Sequence, residues 1–384
     1  MIKRTLQEQL NNYVTKFPIV TVTGVRQCGK STLLKECLKG YGYVSCEDPD
    51  IRDFAIADPR GFLNNFKAPC ILDEIQRVPE LFSYLQTKVD SNKEMGQYVI
   101  SGSHNFLLMQ SISQSLAGRT AVLTLAPFSI SELKEENALP EDAEDLMLKG
   151  FYPALYDRNL SAEEYFPSYV QTYIERDVRL LRNIPDANSF IRFVRMLAIR
   201  SGQVVNQTEL AGVCGISVPT LRAWLSVLIQ SYLVFELPPY YNNYSKRLVK
   251  SAKMYFYDTG LLCHLLGIET PDQLRQHDLR GAIFETMVVS EYMKSRLFKA
   301  KTPAGYFWRD TNQNEVDLLT EDENGLKAFE IKASHTADRS FLKGLHKFAE
   351  LSGLSTDDIT CIYSGDRSLR GEQGSFVKYS EVFY

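Results

Sequence analysis

The chain has 384 residues, enough to bury a large core and, at roughly 100–200 residues per domain, to hold two or three domains. Its formal net charge of −4 argues against a wholly basic nucleic-acid coat and leaves room for a local basic patch. No apolar run approaches the roughly 20 residues of a membrane helix, and the 7 cysteines are odd in number without Cys-x-x-Cys spacing, so reduced thiols in a cytoplasmic, non-membrane protein are expected.

The first strong element is a β-branched strand from Ile19 that ends in Gly24-Val25-Arg26-Gln27-Cys28-Gly29-Lys30-Ser31-Thr32 and enters an apolar helix running to Leu38. Strand, glycine turn and helix in this order make a phosphate cradle. Gly24 and Gly29 permit backbone conformations that a side chain would obstruct, so successive N–H groups can face a phosphate at the positive end of the helix. Lys30 would reach the β- and γ-phosphates and Ser31 would ligate Mg²⁺, which makes ATP and Mg²⁺ the expected cofactors and Gly24 to Thr32 the expected nucleotide-binding stretch. Cys28 lies inside this loop, where thiol modification would block the nucleotide.

A short strand at Tyr41 to Ser45 and an acidic helical stretch follow. The next strand, Ala68 to Leu72, is continuously apolar, as a buried parallel strand should be, and terminates in Asp73-Glu74. At that strand end Asp73 can hold the Mg²⁺ water shell, and Glu74 can take a proton from water attacking the γ-phosphate. A third strand, Gln97 to Ile100, ends in Ser101-Gly102-Ser103-His104-Asn105, where Ser101, Ser103 or Asn105 would sense the phosphate or cap a helix. Arg119, ahead of the strand Thr120 to Leu125, is a candidate charge-stabilising arginine for its own site or a neighbour's, with a surface ion pair as the alternative.

Gly24-x-Arg26-Gln27-x-Gly29-Lys30-Ser31-Thr32-Leu33-Leu34, Ile71-Leu72-Asp73-Glu74-Ile75-Gln76, Ser101-Gly102-Ser103 and Leu116-Ala117-Gly118-Arg119 together resemble the bacterial and archaeal ATPases of the AAA+ superclass that carry a C-terminal domain of unknown function. The resemblance extends over nearly the whole chain. It implies a homo-oligomer, ring-shaped in AAA+ proteins, in which a neighbour completes each nucleotide site.

From Ser131 to Asp157 the chain turns acidic, and the ATPase core is expected to end there. Thr208 through Leu225 reads helix, glycine turn, helix, with Thr208 and Ser217 as N-caps and Leu221, Trp224, Leu225 and Leu228 as a buried face. Two β-rich stretches, Tyr232 to Leu237 and Lys253 to Tyr257, would complete a winged helix. DNA is the expected partner here: Arg222 is the cation of the second helix, and the loop carries Lys246, Arg247, Lys250 and Lys253 for phosphate contact. Packing without DNA is the alternative.

Beyond Gly281 the pattern is helix, three strands, helix, strand. Asp317 falls on the second strand, and Glu330-Ile331-Lys332 on the third puts Glu330 and Lys332 on one face by the period of two. Asp317 and Glu330 could bind hard cations, Lys332 could orient a water, and Glu285 on the preceding helix is a further acid. Asp followed by Glu-x-Lys resembles the PD-(D/E)xK nuclease core. The expected fold is therefore α/β: an AAA+-like P-loop NTPase domain over residues 1–150, a helical and winged-helix segment over 151–270, and an αβββαβ restriction-endonuclease-like domain over 271–384. The expected function is ATP hydrolysis coupled to DNA binding or remodelling, with nuclease action or an inactive nuclease-like binding module as the two outputs.

Overall fold

A computed structural model describes residues 2–103, 105–178, 184, 186–240, 251–310, 312–323 and 325–383, and the chain divides into two compact units. The first comprises residues 1–128, 230–232 and 296–302, and the second residues 129–229, 233–295 and 303–384.

The first unit is built on five strands, β1 (Ile19–Gly24), β2 (Gly42–Ser45), β3 (Cys70–Asp73), β4 (Tyr98–Ser101) and β5 (Thr120–Leu125), in the order β2-β3-β4-β1-β5. Every pairing is parallel. β1, β3 and β4 are buried along their whole length, as the unbroken apolar runs require of strands covered on both faces. Phe62, Phe82, Leu85 and Leu108 from the flanking helices close over Leu72, Tyr98 and Ile100. Because the strands run parallel, the carboxyl ends of β1, β3 and β4 share one edge. The phosphate loop, Asp73 and Ser101 meet there.

The second unit contains a three-stranded antiparallel sheet of β6 (Gln203–Val204), β7 (Val234–Leu237) and β8 (Lys253–Phe256), ordered β6-β8-β7. The helix Ala187–Ile199 precedes it, and the helices Gln207–Cys214 and Val218–Gln230 lie between β6 and β7 in the chain. Those two helices bend by 99° around Gly215, whose φ of 70° suits glycine at a helix C-terminus. Ser217 caps the second helix as expected, through Thr220 N–H (3.2 Å). The first is capped by Asn206, which accepts from Thr208 N–H (3.1 Å) and Glu209 N–H (3.2 Å); Thr208 sits inside the helix. Leu221, Trp224, Leu225 and Leu228 are buried as the spacing predicts. Lys246, Arg247 and Lys250 lie outside the described residues. Lys253 belongs to no basic loop. It opens β8 and is 2% exposed.

The same unit holds a six-stranded mixed sheet: β9 (Gly305–Arg309), β10 (Glu315–Asp322), β11 (Gly325–Lys332), β12 (Ile359–Tyr363), β13 (Leu369–Gly371) and β14 (Gly374–Lys378), ordered β13-β14-β12-β11-β10-β9. β9, β10 and β11 are antiparallel neighbours, and β12 joins β11 in parallel after the helix Lys343–Ser352. The β9–β10 register shifts by one residue between Val316 and Leu319, the stretch that contains Asp317.

These two compact units and the three expected segments, 1–150, 151–270 and 271–384, divide the chain in different ways. Residues 129–150 belong with the second unit, where Glu291 accepts from Ile130 N–H (2.6 Å) and Arg280 pairs with buried Glu144 (2.5 Å). The two later segments form one unit because backbone bonds join them: Phe307 N–H donates to Pro238 O (3.0 Å) and Tyr240 N–H to Phe307 O (2.6 Å). Among the described residues no single helix is long and apolar enough to cross a membrane.

Candidate functional site

The phosphate loop leaves β1 through Gly24 at φ 139°, where an added Cβ would lie 1.9 Å from Leu125 O. Gln27 (φ 64°) and Gly29 (φ 92°) are also left-handed, and such alternation turns backbone N–H groups into one concavity. Lys30 begins the next helix, and its ammonium donates to Gly24 O (3.1 Å) and Val25 O (2.8 Å) across the mouth of the loop. Buried Arg4 donates to Cys28 O (2.8 Å) and Ala126 O (2.7 Å), so the N-terminal residues brace the loop from behind. The Cys28 thiol is fully buried and faces Leu125 O (3.3 Å), which removes it as an accessible target for modification.

Asp73 is the hub of this edge. Its Oδ2 accepts from Ser31 Oγ (2.6 Å) and Tyr43 Oη (2.7 Å), and its Oδ1 from Ser101 Oγ (2.5 Å) and Glu74 N–H (3.1 Å). Ser101 thus orients the carboxylate. Glu74 sits at φ 52°, a left-handed conformation uncommon without glycine, and its carboxylate accepts from Gln76 Nε2 (2.6 Å) and Ser103 Oγ (3.0 Å). Burial pushes the Tyr43 hydroxyl above its ordinary pKa and the bond to Asp73 adds to that, so it remains a donor. Sequence reasoning missed Arg4 and Tyr43; neither stands in a motif, and only the pairing of β2 with β3 brings Tyr43 to Asp73.

The loop fits a nucleoside triphosphate with Mg²⁺. The cradle closes to a Cβ at Gly24, Lys30 supplies a cation at its mouth, and Ser31 and Asp73 present an all-oxygen donor set to a hard ion. Arg119 stands apart from it. It immediately precedes β5, whose Thr120 pairs with Ile19 at the opposite end of β1, roughly 16 Å of strand from Gly24. There its Nε and Nη2 donate to Asp90 (2.6 and 2.9 Å). The candidacy for its own site is corrected by parallel pairing, which puts the start of β5 away from the carboxyl edge.

The second constellation joins Glu285, Asp317, Glu330 and Lys332, as expected, and adds Lys253, Tyr255 and Glu315. Lys253 Nζ lies 2.9 Å from Glu285, 2.5 Å from Glu315 and 3.8 Å from Asp317. Lys332 Nζ lies 2.5 Å from Glu330 and 4.0 Å from Asp317. Tyr255 Oη donates to Glu285 (2.5 Å), Ile331 N–H to Asp317 Oδ2 (2.9 Å) and Arg309 Nε to Glu315 (2.6 Å). Burial and the charge of Asp317 raise the Glu285 carboxyl, and the same two causes push Glu330 up to about 8. Burial opposes the Lys253 charge, but Glu285, Asp317 and Glu315 outweigh it and hold its pKa above the ordinary range. Asp317 and Glu330 both face ammonium groups, Lys332 standing beside the two of them, while Glu330 Oε2 is buried without a hydrogen-bond partner among the described residues. Among the described residues no three His, Cys, Asp or Glu side chains stand in metal-holding geometry. A period-two pattern, Lys253 and Tyr255 on one face of β8, was the readable signal for the missed pair.

Arg222 is exposed on the helix Val218–Gln230, and its Nε donates to Gln207 Oε1 (2.8 Å). The side chain of Asn105 lies outside the described residues.

Residues 16–134 match the model of an AAA domain, and residues 140–272 and 280–382 match two domains of unknown function, DUF8612 and DUF4143. Uncharacterized proteins of Mycobacterium tuberculosis and Mycobacterium bovis are each 32% identical over 340 residues, 87% of this chain and 74% of the relative. A Walker-type ATPase of Pyrococcus abyssi superposes with a TM-score of 0.49 at 18% identity, over 69% of this chain and 96% of that one.

Proposed function

The chain belongs to the family of the two mycobacterial proteins and carries an AAA domain at residues 16–134, and from that premise we propose that it is a Mg²⁺-dependent ATPase whose nucleotide state controls DNA binding or remodelling. The observation that carries the ATPase reading is the convergence of Lys30, Ser31, Asp73 and Glu74 at one sheet edge. ATP bound with Mg²⁺ supplies the phosphoanhydride and the metal charge that make phosphoryl transfer to water accessible. Lys30 would exchange its two carbonyl partners for phosphate oxygens, and Ser31 would turn a lone pair to the ion while its O–H goes on donating to Asp73. Glu74, held by Gln76 and Ser103, is aimed by side-chain bonds and can accept a proton from an attacking water. Lys30→Ala should lower the steady-state ATPase rate at least about 100-fold, the scale of removing one positioned charge in phosphoryl or acyl transfer; a full rate in the purified variant overturns the reading.

For the output, the order helix, short strand, two helices, two strands, with β6 paired to β8, supports a winged-helix reading of residues 187–256. The strand order β11-β10-β9 with β12 parallel to β11 supports a nuclease-like reading of the C-terminal sheet. Between cleavage and a non-cleaving binding module, the engagement of Asp317, Glu285 and Glu330 by two lysines favours the second. Assembly into a homo-oligomer, with Arg119 serving a neighbour, is the remaining part of the proposal; light scattering with and without ATP tests it.

A further inference from the structure

Lys253 has the surroundings of a bound ion. Its ammonium sits among Glu285 from the helix Arg280–Phe298 and Glu315 and Asp317 from β10, at 2.9, 2.5 and 3.8 Å, with its side chain 2% exposed. The backbone beneath it is anchored on both sides, since Lys253 pairs with Val204 of β6 and Leu237 of β7. Lys332 closes the far side of Asp317 at 4.0 Å. The Asp317 carboxylate accepts from Ile331 N–H (2.9 Å), and the β9–β10 register shift falls at this point of the strand.

A hard divalent cation needs these same oxygens at roughly 2.0–2.6 Å. An ammonium already in contact with them would then lie within a few ångströms of the incoming ion, and like charges at that distance in a buried site repel strongly. Lys253 is 2% exposed, so an ammonium displaced from these acids would be left as an unpaired buried charge. We propose that Lys253 is a built-in cation: its ammonium takes the place of a divalent metal among Glu285, Glu315 and Asp317, so this cluster excludes metal in the native protein. Residues from β8 and β10, on either side of the segment boundary expected at residue 270, therefore make one site. The inference extends the non-cleaving reading, yet metal binding without cleavage would overturn the inference and leave that reading standing.

The test is a Mn²⁺ titration of the full chain without nucleotide, followed by the electron paramagnetic resonance of free Mn²⁺. Wild type and Asp317→Asn should bind the same amount, because the difference between them isolates this cluster from the phosphate loop. Lys253→Met should gain about one Mn²⁺ per chain, lost again when Asp317→Asn is added, while Lys253→Arg should gain none. Fewer ions bound by Asp317→Asn than by wild type overturns the proposal, whether or not Lys253→Met folds. So does a Lys253→Met protein with native circular dichroism and no added site.

Discussion

Asp73 accepts from four donors, two on each oxygen: Ser31 and Tyr43 on Oδ2, Ser101 and Glu74 N–H on Oδ1. On the proposed reading Ser31 would offer a lone pair to Mg²⁺ while still donating to Oδ2, and Tyr43 is then a positioning residue that fixes where Oδ2 stands. Tyr43→Phe removes one hydrogen bond to a charged group, worth about 1.5–3 kcal/mol, and should raise the Mg²⁺ concentration for half-maximal ATPase activity about 10-fold. A purely structural role would lower the rate at all Mg²⁺ concentrations alike, and that pattern would sink the assignment. In the second cluster, Glu330 carries a carboxyl raised from 4.5 to about 8, chiefly by burial and then by Asp317. A raised acid binds its proton more tightly folded than unfolded, so its contribution is full below about 4.5 and is lost as pH rises through about 8. The melting temperature of wild type should therefore fall more steeply across that window than that of Glu330→Gln; parallel slopes would refute the shift.

Among the elements, β1 and the loop after it carry the sharpest constraint. Gly24 is both left-handed and 1.9 Å, from an imagined Cβ, away from backbone of β5 that cannot yield without losing the β1–β5 pairing. Gly24→Ala is expected to cost several kcal/mol by urea denaturation, against the roughly 1 kcal/mol of an ordinary exposed substitution. A cost under about 1 kcal/mol would mean that β5 moves aside. The β1 strand, the loop and the helix after it were readable because their chemistry is local: β-branched residues, glycines at fixed offsets, Lys-Ser at the helix start. Arg119 was not placeable in the same way. Its role depended on which end of β5 faces the loop, and strand direction is set by pairing with β1.

For the molecule as a whole, an ATP switch has to appear as a coupling energy between nucleotide and DNA. Allosteric couplings of 1–3 kcal/mol change affinity roughly 5–150-fold, so gel shifts of the wild-type chain should differ by at least about 5-fold with and without ATP, and Lys30→Ala should lose the difference. Changing Lys246, Arg247 and Lys250 together to Glu should weaken binding and flatten its salt slope by about three phosphate contacts. Unchanged affinity and slope would remove DNA from that loop.

Contiguous motif and strand alternation sufficed to place Gly24 to Thr32 as strand end, loop and helix start, Asp73-Glu74 at the end of β3, the buried face of Leu221, Trp224, Leu225 and Leu228, and the shared face of Glu330 and Lys332, because each rests on neighbours in the chain. Which groups answer those residues is a different matter. Tyr43 reaches Asp73 across a strand pair, Arg4 reaches Cys28 O from the start of the chain, and Lys253 reaches three carboxylates from a sheet that the residue pattern assigns to another segment. Long-range pairing carries no local signature, since the free energy that selects it comes from burial and charge neutralisation formed only when distant segments pack together.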